Sequence, residues 1–478
     1  MIAVVRQRSR TKAWVVVVLL LLVAVIGSVS YLAWRQSVPV PIATVQAGKF
    51  IGHNASVTVT LEAARGQLQK AEVRLVQGGA STTIARPAAP LGPKVAMPIA
   101  LAPATLGLKE GAATIEVWGA DDFWRPLRPG ERALASVPVT IDLTPPRLEL
   151  LAATRYVSPG GAVLVAFRAP DASRVEVNVG SRVFPSFPYG PAERGARIAL
   201  IALPYDFAHG TPLTVTARDE AGNTATRGLP VELKPRGFPK DTINLTETFL
   251  QTKVPELLPQ RPPTQPLIDG FLTINRDQRK QAEEEKLKIG AKTADKPLWE
   301  GAFVQPRNTK VFSNFAETRT YVYQGKPVDT QVHVGFDLAS TKQTPVPAAN
   351  AGQVAFAGPL TIYGNAVIVD HGLGLQTLYA HLSSLDVKVG DAVTKGQQLG
   401  HSGSTGLAVG DHLHFEVLVS GISVTPVEWW DGKWIRDRVN KPLKQAGLPE
   451  IPGIGAVHDE PTPSAAPAST PRSSRRRR

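Results

Sequence analysis

A mainly β chain of several domains behind a single apolar helix is the fold class this sequence predicts. Three observations carry it. Short alternating apolar and polar runs, broken by Gly or Pro about every ten residues, fill residues 40–235 and 301–440. The 478 residues are too many for one core and, at ~150 per domain, indicate about three. One run of 22 uncharged, mostly apolar residues, Ala13 to Trp34, stands apart at the N-terminus.

As a helix rising ~1.5 Å per residue, that run is long enough to cross a ~30 Å hydrocarbon layer. Arg6, Arg8, Arg10 and Lys12 precede it and only Arg35 comes closely after it, so the positive-inside rule leaves the N-terminus cytoplasmic. Trp14, Tyr31 and Trp34 lie near its ends, where interfacial aromatics belong. The rival reading is a cleaved signal peptide with Ser28-Val-Ser30 as the small-residue site; a run longer than the roughly 7–15 residues of a signal core favours a retained anchor. Residues 1–12 are then a cytoplasmic basic segment and 13–34 a single-pass anchor in the cytoplasmic membrane. Either reading exports the chain beyond residue 35 to the periplasm or extracytoplasmic space.

Residues 36–145 read as a β-sandwich-like domain, with Val57-Thr-Val-Thr-Leu61 and Val73-Arg-Leu75 as strands. Residues 146–235 read as a second, immunoglobulin-like domain, with Val163-Leu-Val-Ala-Phe167 and Val175-Glu-Val-Asn-Val179. Thr114 to Asp121 aligns with Pro212 to Asp219, each an alternating strand entering an acidic turn. Their offset is about one sandwich domain. The turn Ala217-Arg-Asp-Glu-Ala-Gly-Asn223 resembles bacterial immunoglobulin-like or fibronectin-like extracellular modules. Residues 236–298 form a Pro-rich and helical linker. Within it Asn275 to Ile289 is expected as a helix, with Asn275 and Gln278 as a capping box, Gly290 as the stop and a charged, solvated surface. Residues 299–440 return to alternating β, and 441–478 read as a disordered Pro/Ser/Arg tail.

The net charge of +13 does not imply nucleic acid. Nine positive charges fall in residues 6–12 and 472–478, stretches without an acid, which leaves about +4 for the body. The absence of cysteine excludes thiolate metal sites, disulfide frameworks and cysteine nucleophiles.

Four of the nine histidines cluster in three short blocks: His333-Val-Gly-Phe-Asp337, Tyr379-Ala-His381-Leu and Gly410-Asp-His412-Leu-His414-Phe-Glu416. Each lies in an alternating run, so His333 would share a strand face with Asp337, and His412 with His414 and Glu416. A catalytic zinc needs three nitrogen or oxygen ligands and one open position. Two histidines and a carboxylate also describe a non-haem iron triad, although iron, oxygen and cosubstrate are awkward outside the cytoplasm and would leave two histidines without a task.

Together, in order, these blocks resemble the lysostaphin-like zinc metallopeptidases, with Tyr363-Gly-Asn-Ala-Val-Ile-Val-Asp-His-Gly372, Val389-Gly-Asp-Ala-Val-Thr-Lys-Gly-Gln397 and Gly403-Ser-Thr-Gly406 in agreement. The match runs from about Trp299 to Trp434. The resemblance implies an antiparallel β peptidase domain, Zn2+ held by His333, Asp337 and His414, and His381 and His412 flanking the zinc-bound water and the developing oxyanion. Spacing alone does not divide His412 from His414, which point to one face. The resemblance also implies a peptidoglycan endopeptidase cutting stem-peptide cross-links or cross-bridges. Some relatives lack part of the set and survive as regulators of wall hydrolases; here the set is complete. The alternative is a catalytically silent wall-binding or hydrolase-regulating scaffold, with the β domains offering surfaces to protein partners.

Five neighbours carry weaker expectations. Glu416 could orient a ligand from its face, Tyr379 could line the groove beside His381, and Asn314 lies in a loop the resemblance places near the ligands. His371 and His401, at expected turns, are read as structural.

Overall fold

The computed structural model describes residues 10–127 and 131–454. The first nine residues of the basic segment and residues 455–478 of the tail lie outside the described residues. The chain divides into two compact units, residues 1–146 with 218–224, and 147–217 with 225–478.

In the first unit, α1 (Arg10–Ser37) is long and apolar enough to cross a membrane, and no residue from Lys12 to Ser37 is buried. It leads into a β-sandwich. A three-stranded sheet of Ile42–Gln46, Ala55–Glu62 and Lys94–Leu101 faces a five-stranded sheet whose central strands are Gly111–Asp121 and Leu68–Gln77. Alternation supplies the core: Val57, Val59 and Leu61 from one sheet meet Val73, Leu75, Ile115 and Val117 from the other.

The second unit opens with another sandwich, two four-stranded sheets built around Ala162–Arg168 with Ala196–Ala202 and Arg174–Val179 with Leu213–Arg218. Ala162–Arg168 is apolar on both faces because the rest of the unit covers it. Its Val163, Val165 and Phe167 belong to one continuous apolar cluster with Phe415, Trp429 and Leu443, far along the chain. Polar ties cross the same seam: Thr154 Oγ1 donates to the Arg438 carbonyl (2.6 Å) and Ala162 N to Glu428 Oε2 (3.1 Å).

The main sheet is antiparallel. Its strands are β2 (Lys310–Ser313), β5 (Phe336–Ala339), β6 (Gly352–Pro359), β7 (Asn365–Gly372), β8 (Leu375–Leu382), β9 (Ala392–Val393), β11 (Leu413–Val419) and β12 (Ile422–Val424). The order is β2-β5-β11-β8-β7-β6-β9, with β12 also on β11. A smaller sheet comprises β1 (Lys240–Leu245), β3 (Glu317–Tyr323) and β4 (Lys326–His333). A third includes β10 (Gln398–His401).

Three expectations need correction. The linker helix does not begin at Asn275. Helix α2 (Glu247–Leu257) precedes α3 (Leu267–Thr273), which runs through a π turn into α4 (Arg279–Gly290). Asn275 is buried in mid-helix and donates to Asp329 (2.8 Å), while Gln278 bonds the Leu257 carbonyl. Nor is this helical run a solvated strut. Phe271, Ile274 and Ala282 pack with Leu250 and Val254 of α2 against Ile368, Leu378, Ala380 and Leu418 of the sheet, and Lys286 is fully buried. Gly290 ends the helix as expected, and does so where a Cβ would lie 2.3 Å from the Gly421 nitrogen.

The third correction concerns residues 441–454. They are not tail: α5 (Lys441–Gln445) and the segment after it bury Leu443, Leu448 and Ile451 in the shared core, and Asn440 clasps the backbone of Ile451 from both sides. Proline content there hides apolar residues spaced to be buried.

Candidate metal centre

His333 closes β4 and Asp337 lies in β5, so the two residues do not share one strand as their spacing suggests. Between them the chain leaves the smaller sheet and enters the main one, at Val334 and Gly335. Asp337 sits directly opposite His414 in the β5–β11 pairing. Gly335 permits the crossing, because a Cβ there would lie 2.6 Å from His414 Nε2 and 2.7 Å from the Phe415 carbonyl.

The result is a buried triangle. His333 Nε2, Asp337 Oδ1 and His414 Nδ1 lie 2.9–3.0 Å from one another. The outward atoms determine what faces inward. His333 Nδ1 donates to the Asn314 carbonyl (2.9 Å), which only accepts, so Nε2 offers its lone pair. His414 Nε2 donates to Glu416 Oε1 (2.9 Å), leaving the Nδ1 lone pair inward. Asp337 gives one oxygen to the triangle and the other to Arg319 Nη2 (2.8 Å). The three ligand atoms converge on one point, a group of the kind that can hold a metal ion. Two imidazole nitrogens and one carboxylate oxygen are a donor set that suits zinc.

Charge is balanced around this set. Burial would raise the Asp337 pKa, but the adjacent His333, His412 and His414 rings hold it well below the usual carboxylate range. Behind His414, Glu416 is fully buried and receives Lys286 Nζ (2.9 Å), Ser423 Oγ (2.6 Å) and Tyr363 OH (2.5 Å). Burial opposes its ionisation, yet Lys286 and His414 keep the carboxylate pKa low.

His412 and His381 flank the triangle. His412 Nε2 is 3.4 Å from Asp337 Oδ1, and its Nδ1 donates to the Gly410 carbonyl (2.7 Å). His381 Nδ1 donates to the Thr405 carbonyl (2.8 Å), and its ring centroid lies 4.8 Å from that of His412 and 5.8 Å from that of His414. Burial, reinforced by His412 and His414, holds the His381 pKa well below that of a free imidazole. With Nδ1 donating to a carbonyl, the neutral form of either ring carries its lone pair on Nε2. His381 reaches this position through a left-handed backbone, φ 63°, an uncommon conformation for a non-glycine residue.

That kink overturns the expectation for Tyr379. Strand parity puts Tyr379 on the face of His381, but the turn at His381 swings the imidazole round to the other side. Tyr379 stays in the core against Phe415, its hydroxyl accepting from Ala349 N (2.7 Å). His371 is structural and fully buried, bonded to the Ala351 carbonyl and Thr377, with burial lowering its pKa to about 4. His401, at the end of β10, bonds Ser384 Oγ. Asn314 contributes its carbonyl rather than its side chain. Sequence reasoning missed Arg319 and Lys286. Arg319 alternates with Glu317 and Tyr321 on one strand, a signal too common to single it out, and no local signal marks Lys286.

Residues 331–426 match the family model described as Peptidase family M23. Over 97 residues the chain is 43% identical to DD-carboxypeptidase/endopeptidase Mpg of Neisseria meningitidis, covering 20% of this chain and 22% of that protein. Over 121 residues it is 37% identical to peptidoglycan DD-endopeptidase ShyA of Vibrio cholerae, covering 25% and 27%. The catalytic domain of the antimicrobial peptidase lysostaphin from Staphylococcus simulans is 30% identical, covering 26% of this chain and 92% of that one, with a TM-score of 0.23. The chain spans about a quarter of the length of the curated relatives it matches.

Proposed function

We propose that this chain, whose residues 331–426 carry a Peptidase family M23 domain, is a membrane-anchored zinc metalloendopeptidase that hydrolyses peptide cross-links of bacterial peptidoglycan. The observation that carries the reading is the triangle of His333 Nε2, Asp337 Oδ1 and His414 Nδ1, three acceptors turned on one another and each fixed from behind. These residues would hold the metal. A zinc ion held there would lower the pKa of a water molecule toward ~7 and polarise a peptide carbonyl. His381 and His412 do the proton work. One neutral ring accepts a proton from the attacking water at Nε2, and the imidazolium so formed stabilises the developing oxyanion and returns the proton to the leaving amine. The Thr405 and Gly410 carbonyls hold each ring in the tautomer this requires.

The names of the relatives support a D,D bond, which in a directly cross-linked wall joins D-Ala to a diamino acid. Helix α1 supports retention at the cytoplasmic membrane, with the body facing the wall. The test is release of peptides from purified peptidoglycan by the full-length, detergent-solubilised, zinc-loaded protein, with His381→Ala and His414→Ala as controls. Release by wild type alone is expected. A folded, metal-loaded wild type that releases nothing would replace this reading with that of a wall-binding or regulatory scaffold.

A further inference from the structure

The turn after Asp121 in the first β domain is clasped to the end of α1. Arg35 Nε donates to the Trp124 carbonyl (3.0 Å), and the Gln36 side chain both donates to the Leu127 carbonyl (3.1 Å) and accepts from the Leu127 nitrogen (2.9 Å). In return Arg125, buried and paired with Asp121, donates to the carbonyls of Val38 (3.0 Å) and Pro39 (2.5 Å). The Arg35 guanidinium lies over Phe123, 4.3 Å from the ring centroid, and Trp34 meets Phe123 edge to face.

Two features of this turn do not fit an aqueous surface. Its large apolar side chains face out, Leu127 being 73% and Trp124 47% exposed, beside Tyr31 and Trp34 of the helix, which are exposed too. Meanwhile both backbone polar groups of Leu127 and the carbonyl of Trp124 are satisfied by protein side chains, so the turn does not depend on water for them. Backbone groups satisfied internally beneath outward apolar side chains are what a lipid boundary demands.

Length fixes the depth. The 22 uncharged residues between Lys12 and Arg35 span ~33 Å as a helix, about the ~30 Å of a hydrocarbon layer. Arg35 then lies at the boundary, where arginine extends toward the headgroups, and whatever bonds to Arg35 and Gln36 lies there as well. We propose that residues 123–127 are a second membrane-contact element, seating Trp124 and Leu127 in the headgroup–acyl boundary of the leaflet from which α1 emerges. The first β domain is thereby fixed to the lipid surface and does not swing on a tether. This rests on α1 being a retained anchor, as proposed above.

The chain has no cysteine, so single introduced cysteines can be spin-labelled uniquely. Leu127→Cys, Leu22→Cys in mid-α1 and Val183→Cys, exposed on the second β domain, are prepared in the full-length protein and reconstituted into phosphatidylcholine vesicles. Collision of each label with a water-soluble nickel chelate and with oxygen is read by paramagnetic resonance. The expected result is a label at position 127 severalfold less accessible to nickel than that at 183, with the label at 22 shielded most. A label at 127 as accessible as that at 183, with 22 still shielded, overturns the proposal and leaves the anchor standing. A label at 22 open to nickel overturns both.

Discussion

Lys286 Nζ lies 2.9 Å from Glu416 Oε2, and neither side chain has exposed surface. The pair joins helix α4 to the strand that carries His414, and Glu416 Oε1 is the atom that holds His414 Nε2. Burial alone would lower the Lys286 pKa, but Glu283 and Glu416 more than offset it and keep the ammonium charged. A helix outside the residues matched to the peptidase family therefore supplies the cation that keeps Glu416 ionised behind a candidate ligand.

Lys286→Met should leave Glu416 as a buried carboxylate without its cation. A loss of about 3–5 kcal/mol is expected for breaking such a pair, with zinc affinity falling about 10–100-fold as His414 loses its support. Adding Glu416→Gln should recover stability more fully than affinity. Urea unfolding and zinc competition against a chromophoric chelator measure the two; unchanged affinity in Lys286→Met would refute the coupling.

Gly335→Ala should damage the centre without touching a ligand. The added methyl would press on His414 Nε2 and the Phe415 carbonyl, and neither can retreat, since one is held by Glu416 and the other belongs to the central strand. Bound zinc per chain should drop well below one while β circular dichroism persists. Full metal content with normal hydrolysis would refute the steric argument.

Binding and proton transfer should separate cleanly. His381→Ala and His412→Ala are expected to keep their metal and lose about 10²–10⁴-fold in hydrolysis, the usual contribution of a positioned acid–base group. His333→Ala and Asp337→Ala should lose both. Metal analysis beside peptide release decides the matter, and loss of metal from His381→Ala would move that residue into the ligand set.

Glu428 makes stability depend on pH. Burial raises its pKa to about 8, from 4.5 in an unfolded chain, and the nearby Arg236 and Arg438 only partly oppose this. Below about pH 4.5 both states are protonated and the residue contributes no pH dependence. Between 4.5 and 8 the folded state keeps a proton that the unfolded state has released, so stability falls as pH rises, by a few kcal/mol on the order of 1.4 per pH unit, and levels off above 8. Glu428→Gln, which still offers an oxygen to Ala162 N, should remove this slope. Thermal unfolding of both proteins from about pH 5 to 9 tests it; parallel curves would exclude Glu428 as the source.

The features legible in the sequence are local. The histidine blocks, the shared face of His414 and Glu416, and the glycine-broken alternation all lie within a few residues of one another, where strand period governs. The features that escape it depend on partners far along the chain. Lys286 reads as a solvated charge because its partner is 130 residues away, and Asn275 reads as a cap because nothing nearby points to Asp329. His381 escapes differently: one left-handed residue reverses strand parity, and nothing in Tyr379-Ala-His381 announces it.

The apolar cluster that runs from Phe167 to Leu443 has a consequence for how this chain can be cut and recombined. A fragment starting near residue 299 would carry the histidines yet expose half of a core, and it would leave Lys286 behind. The inheritable piece is therefore larger than the catalytic motif. Swapping in a relative's domain at the edges of residues 331–426 should yield an insoluble hybrid, and a cut at Pro146 would part residues 218–224 from the first unit to which they belong.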